Sequence, residues 1–353
     1  IIDPLHVGKI NIVANNSNME YIENEMILIS NDLPQGISVS LSLTGAAGNI
    51  LTGDLSGTYT SSTYRISRDI SIASDDIVTL QSGTTFLFDG EYNFSIYGTL
   101  IALGTEQDSI IFDNYGTEKW RGLTLYEESD QSEFRYLRIS GAQKDLGGGI
   151  RLASSSPNFK HVTISGNSSS SYGGGIYMSA SNPNLEHVSI SENYTLNPGN
   201  GYVPPGGGIV LDQSNPTLNQ VIITQNTAMM GAGIYFINCN NSTLNNVTIS
   251  GNSSLYFGGG VALDNSYPIF NHVTISENTA GFSSGGIYLN QSDPQIINSI
   301  IWGNTASFGD TQIGISENGG TPLITYSDIS GGWIGDGNIN SDPLFVDSEN
   351  GNY

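Results

Sequence analysis

Apolar and polar residues alternate in short bursts along most of this chain, and the bursts return at a fixed spacing. The recurring phrase is a small or polar residue, Pro, two or three residues, Val-x-Ile, Asn, and then Gly-Gly-Ile. One copy runs from Ser156-Pro157 through Val162-Thr163-Ile164 to Asn167, followed by Gly173-Gly174-Gly175-Ile176-Tyr177-Met178. The proline place is filled by Pro157, Pro183, Pro216, Ser242, Pro268 and Pro294, in steps of 26, 33, 26, 26 and 26 residues. A period of this size marks a solenoid.

Within each repeat the buried candidates sit two apart, as in Val162-x-Ile164 and Ile176-x-Met178, which is the period of a half-buried strand. Aligning the copies gives apolar columns. Leu137, Val162, Val188, Val221, Val247 and Val273 form one, ended by Ser299; Ile139, Ile164, Ile190, Ile223, Ile249, Ile275 and Ile301 form another. Ile150, Ile176, Ile209, Ile234, Val261 and Ile287 form a third. A coil this short cannot bury its apolar face alone, so the coils must stack, and the pattern predicts a parallel β-helix. The column Asn167, Asn193, Asn226, Asn252, Asn278 and Asn304 predicts an amide ladder at one corner, with Asn in the left-handed backbone a sharp corner needs. The glycine triplets are read as tight turns, because no helix follows them and no Lys stands near.

Ahead of the repeats, Glu25–Ile29 and Ile37–Leu43 read as strands, within an N-terminal β cap or small domain over residues 1–60. The helix is expected over 61–353. Its opening coils are Tyr64–Ile72, Val78–Phe88, Ser95–Thr105 and Ser109–Asp113, and Tyr194–Pro205 is an insertion that leaves the helix as a lateral loop.

Charge narrows the partners. The formal net charge is −23, which argues against nucleic acid and anionic membrane surfaces. All ten Lys and Arg lie at or before Lys160, so the later coils carry no base of their own. The single Cys239 excludes an internal disulfide and reads as a small buried residue. No apolar run reaches membrane-spanning length. The start at Ile1-Ile2-Asp3, without Met or a leader, gives the expectation of an excised piece of something longer.

The stretch Val78–Asp113, followed by Trp120-Arg121-Gly122-Leu123-Thr124-Leu125, resembles the opening of secreted bacterial right-handed β-helix proteins of the pectate-lyase-like superfamily. The I-S-x-N and G-G-G-I-Y phrasing of residues 132–305 resembles repeats of chlamydial polymorphic outer-membrane proteins, which are adhesins. Asn298–Asn304, Tyr326–Ile329 and Gly337–Asp347 resemble the choice-of-anchor Q region of surface β-helix proteins. These resemblances imply a right-handed coil and an extracellular or cell-surface bacterial setting.

Candidate chemistry is sparse. Arg151, Tyr177, Val210, Tyr235, Ala262 and Tyr288 fall on outward positions about 4.8 Å apart, predicting a shallow aromatic stripe for sugar rings. Tyr194 and Tyr202 of the insertion would wall the same groove, with Asp212 bonding hydroxyls. For a lyase, which needs a base and a cation against a carboxylate, the residues are Arg135, Arg138 and Lys160 with Glu186 and Glu192. Lys144 and Arg151 join them as the basic cluster of the regular coils. His161 and His187, on adjacent coils of the column His161, His187, Gln220, Asn246, His272 and Asn298, lack a third metal ligand and read as a polar outer column. Asp336, Asn338, Asn340 and Asp342 alternate oxygen ligands as calcium loops do, without the closing Glu. Calcium is thus the one cofactor to consider, with an Asx-rich turn as the alternative.

The expectation is an all-β, right-handed parallel β-helix of ten or eleven coils, roughly 50 Å long. It would serve as a non-catalytic adhesin, a polysaccharide-binding scaffold, or a surface or filament subunit. Extracellular polysaccharide, other surface proteins and further copies of the chain are its expected partners. The alternative is a polysaccharide lyase or glycoside hydrolase working in a groove beside residues 194–205.

Overall fold

The computed structural model describes residues 22–30 and 33–43 as backbone strands, and residues 49–196, 199 and 203–346 in full. Strands β1 (Ile22–Ser30) and β2 (Leu33–Leu43) pair antiparallel, with Ile22 opposite Leu43 and Leu28 opposite Ile37. From Asn49 onward all pairing is parallel. Asn49–Asp54 pairs with Thr63–Ile72 and Gly57–Tyr59 with Ile77–Leu80, so the first coil of the β-helix starts at residue 49.

A regular coil has four strands. In the copy that begins at Pro157 they are Asn158–Lys160, Thr163–Ser165, Ser168–Tyr172 and Ile176–Ser179. First strands stack into an 11-stranded sheet and third strands into a 7-stranded sheet. Second and fourth strands form two columns of one 21-stranded sheet, joined because Thr63–Ile72 pairs with both Thr85–Phe88 and Phe94–Ile96. The register is that of the sequence repeat, with Ile164 beside Ile190 and Ile176 beside Ile209.

The core runs the length of the coil. Second and fourth strands supply the expected Val and Ile columns, and each first strand adds one inward residue: Phe134, Phe159, Leu185, Leu218, Leu244, Phe270, Ile296 and Ile324. Burying each such side chain contributes roughly 1.5–3 kcal/mol. The opening coils are filled with aromatics. Trp120 stacks on Phe88 at 4.1 Å and gives its indole N–H to the Ser140 carbonyl, so its one polar atom is satisfied inside the core.

The asparagine ladder is present and spans three coils per residue. Asn193 Oδ1 accepts the backbone and side-chain amides of Asn167 at 3.0 and 3.1 Å, while Asn193 Nδ2 donates to the Ile164 carbonyl at 2.9 Å. The same bonds recur down to Asn304. One expectation needs correcting. The left-handed residue at this corner is the one before each Asn, namely Gly166, Glu192, Gln225, Gly251, Glu277 and Gly303. The Asn side chain has to reach inward to a carbonyl, and the preceding residue takes the turn. Three further left-handed columns close the other corners, one of them Tyr136, His161, His187, Gln220, Asn246, His272, Asn298 and Tyr326.

A second polar ladder stands at the corner after the fourth strand. Ser155 N donates to Ser181 Oγ and Ser181 N to Ser214 Oγ, and each hydroxyl donates to the carbonyl two residues back. Cys239 occupies the next place. Its amide bonds Ser266 Oγ at 3.0 Å, and its thiol points at the Ile237 and Leu211 carbonyls at 3.2 and 3.4 Å.

Candidate functional site

The column Arg151, Tyr177, Val210, Tyr235, Ala262 and Tyr288 is in register from coil to coil. Its expected exposure is corrected. Tyr177 is 8% exposed and Val210 and Ala262 are fully covered, because the third strands turn over the fourth at the glycine triplets. Tyr172 lies 5.9 Å from Tyr177, and Phe257 stacks on Tyr288 at 4.6 Å. The Tyr177 hydroxyl donates to Asp212 Oδ2 at 3.0 Å, and burial followed by that carboxylate raises its pKa. Burial raises Tyr235 further. What stays open is a cleft of about 360 Å³ where Tyr235 and Tyr288 meet Met230, Asp264, Asn290 and Glu317. Tyr194 opens the third strand of its coil, exposed, in register with Ser168 and Thr227. Tyr202 lies outside the described residues.

The basic cluster is divided by the fold. Arg135 and Lys160 are register partners on first strands, with Glu186 next; Lys160 Nζ bonds Glu186 Oε1 at 2.7 Å. These three line a cleft of about 260 Å³ with Phe134 and Phe159. Lys160 pulls the Glu186 pKa down, the direction of a structural pair and the opposite of a general acid. Arg138 and Glu192 do not line this cleft: Arg138 projects from a second strand and Glu192 takes the left-handed corner before Asn193. Lys144 and Arg151 belong to another face altogether, outside the fourth strands.

Beside the Arg135 cleft the left-handed column forms a ring stack. Tyr136 lies flat on His161 at 4.6 Å and His161 on His187 at 4.7 Å. Desolvation, His187 and Lys160 lower the His161 pKa. Among the described residues no three His, Cys, Asp or Glu side chains converge on a metal position. In the C-terminal segment, Asn338 Oδ1 accepts Ser327 N at 3.0 Å, Asn340 Oδ1 accepts Gly331 N at 3.2 Å, and Asp342 Oδ1 accepts Leu344 N at 2.9 Å. Each oxygen serves a different backbone amide, and Asp336 takes part through its carbonyl, bonded by Tyr326 N. Asp342, bonded by the amide two residues on, makes an Asx turn, while Asn338 and Asn340 tie the segment to amides of the preceding stretch.

A further open feature escaped the sequence reading. A trough of about 620 Å³ runs over the third strands from Thr195 to Ser307, lined by Thr227, Ser253, Thr279 and Thr305 among small residues. Among the described residues no charged side chain lines it. Leu255, Gly281 and Ser307 form part of its wall, and each is followed directly by an exposed aromatic: Tyr256 (39%), Phe282 (49%) and Phe308 (64%). Phe282 and Phe308 lie 5.6 Å apart, with Phe282 N bonded to Tyr256 O and Phe308 N to Phe282 O. Their positions differ by 26 residues, the repeat itself, at a place where no core column calls for an aromatic. That recurrence is the signal by which they can be found.

Comparison with known proteins agrees on the fold. Residues 199–332 match the family model described as a right handed beta helix region, and the chain is an all-β, right-handed parallel β-helix solenoid. No curated protein matches it. A solved structure, the crystal structure of the Dettilon tailspike protein, is similar at 13% identity with a TM-score of 0.33. The match covers 80% of this chain and 55% of that one, so the chain spans about half the length of the tailspike. Among the described residues no helix is long and apolar enough to cross a membrane.

Proposed function

We propose that the chain is a secreted or cell-surface β-helix scaffold that holds an extended polysaccharide along its third sheet without cleaving it. The observation that carries this reading is the row Tyr256, Phe282 and Phe308 beside the hydroxyl-lined trough. Apolar ring faces stack on sugar rings, and Ser and Thr hydroxyls exchange hydrogen bonds with sugar hydroxyls at little desolvation cost. A trough without charged walls supplies neither the acid and base nor the paired carboxylates that lyases and hydrolases use. Tyr194, exposed and in register with Thr227, adds an aromatic ring to the Ser and Thr column toward the insertion.

A glycan array, with and without calcium, identifies the polymer. Incubating a bound polymer with the protein and assaying new reducing ends and unsaturated products then separates scaffold from enzyme. Retention without new ends supports the scaffold. Cleavage moves the site to the cleft of Arg135, Lys160 and Glu186 and restores the lyase or hydrolase alternative.

A further inference from the structure

Lys144 and Arg151 stand side by side outside the fourth strands, at the start of the regular coils. Thr124 is the register partner of Arg151 on the preceding coil, and Lys144 Nζ reaches Thr124 Oγ1 at 2.6 Å and Asn93 Oδ1 at 3.4 Å. Both acceptors are neutral, and an ammonium has three donors. Arg151 Nε is buried and donates to nothing. Among the described residues neither cation has a carboxylate partner, in a chain with 33 acids and 10 bases. The neighbouring charges are engaged elsewhere. Arg121 pairs with Glu91, Asp145 accepts the Ser170 hydroxyl at 2.7 Å, and Asp69 accepts Asn93 N at 2.8 Å.

Two like charges held together in half-buried surroundings repel, and desolvation followed by Arg151 brings the Lys144 pKa down to about 8. An anion between them would relieve both costs. A guanidinium fork with free donors fits a planar carboxylate, and the ammonium supplies a second point of charge. Flat rings flank the pair. Tyr126 stacks on Tyr97 at 4.4 Å, with Tyr97 40% exposed, and Tyr177 follows Arg151 in the column.

We propose that Lys144 and Arg151 form an oxyanion site that takes the carboxylate of an acidic saccharide, with the Tyr97–Tyr126 pair as the platform beside it. The sugar part of the ligand rests on the polysaccharide reading above; the anion site does not.

The test reads Lys144 directly. The intact chain is acylated with an amine-selective ester near pH 8, where Lys144 titrates, and each lysine is followed by peptide mass spectrometry. Sodium glucuronate should slow acylation of Lys144 roughly fivefold by raising its pKa about one unit. Lys119 should keep its rate, glucose should protect nothing, and R151Q should abolish the protection. No protection by glucuronate, or equal protection in R151Q, overturns the site. Equal protection by sodium sulfate overturns the carboxylate assignment. Affinity electrophoresis through hyaluronan and its carboxyl-reduced form separates the two readings. Glucuronate protection with no retention by any polymer on the array leaves the anion site standing and sinks the polysaccharide scaffold. Retention equal on both forms and unchanged in R151Q keeps the scaffold and sinks the anion site.

Discussion

Asn304 donates its side-chain amide to Gln312 Oε1 at 2.8 Å, and Gln312 returns an amide hydrogen to the Asn304 carbonyl at 3.0 Å. The ladder that starts at Ala142 N thus ends on a side chain that satisfies its last member. A solenoid needs such closure, since an open coil end leaves donors and acceptors unpaired.

The interior of the ladder is more sensitive than its end. Asn252→Ala removes the acceptor of Asn226 N and Nδ2 and the donor to the Ile223 carbonyl, all buried. Stranding these groups should cost roughly 3 kcal/mol or more, read as a fall in the urea midpoint. Gln312→Ala, at the half-exposed end, should cost clearly less. Equal losses would show that the column does not act as a buried network.

Cys239 stands where the ladder otherwise has serine, so Cys239→Ser should fold with stability within about 1 kcal/mol of the parent. Burial raises the thiol pKa. A maleimide should therefore label it at the rate of unfolding and not at that of an exposed thiol. Fast labelling under native conditions would contradict its place in the core.

The Lys144 ammonium is disfavoured in the folded state, first by burial and then by Arg151, so its pKa drops to about 8 from 10.5. Between those values the unfolded chain holds a proton that the folded chain has released, and stability rises with pH. The free energy of unfolding of the parent relative to K144M should increase from pH 8 toward pH 10. A flat difference would mean that Lys144 is solvated as in the unfolded chain.

In the segment holding Asp336, Asn338, Asn340 and Asp342, side-chain oxygens of the last three accept the backbone amides of Ser327, Gly331 and Leu344. Chelation with EDTA should shift the Tm by less than about 1 °C. A larger fall, reversed by calcium, would assign a divalent ion to this segment.

The second and fourth strands were legible because each shows two inward residues at period two, copied in every coil. The first strand puts a single residue inward, such as Phe159 or Leu185, and one residue has no period. The third strand is Ser- and Thr-rich in its coils and looks like loop, yet Ser168–Tyr172 and Ser253–Phe257 pair along a sheet. Missing it had a consequence for the site. Tyr177 and Tyr288 point outward when only the fourth strand is considered, and Tyr172 and Phe257 of the unseen strand pack against them, leaving the first buried and the second half-buried. The exposed row Tyr256, Phe282 and Phe308 was hidden for the same reason. The split of the basic cluster also needed the fold, since Lys144 and Lys160 are close in sequence but lie on different faces.

The aromatic row is the centre of the functional account, and one comparison tests it. Affinity electrophoresis through the polymer found on the array is run for the parent, for the F282A/F308A double variant, and for Y288F, which changes a half-buried tyrosine outside the trough. Each stacked ring carries roughly 0.5–1.5 kcal/mol, so the double variant should bind at least about fivefold more weakly with an unchanged Tm, while Y288F binds as the parent does. Full retention by F282A/F308A would contradict the account and leave the trough as bare architecture.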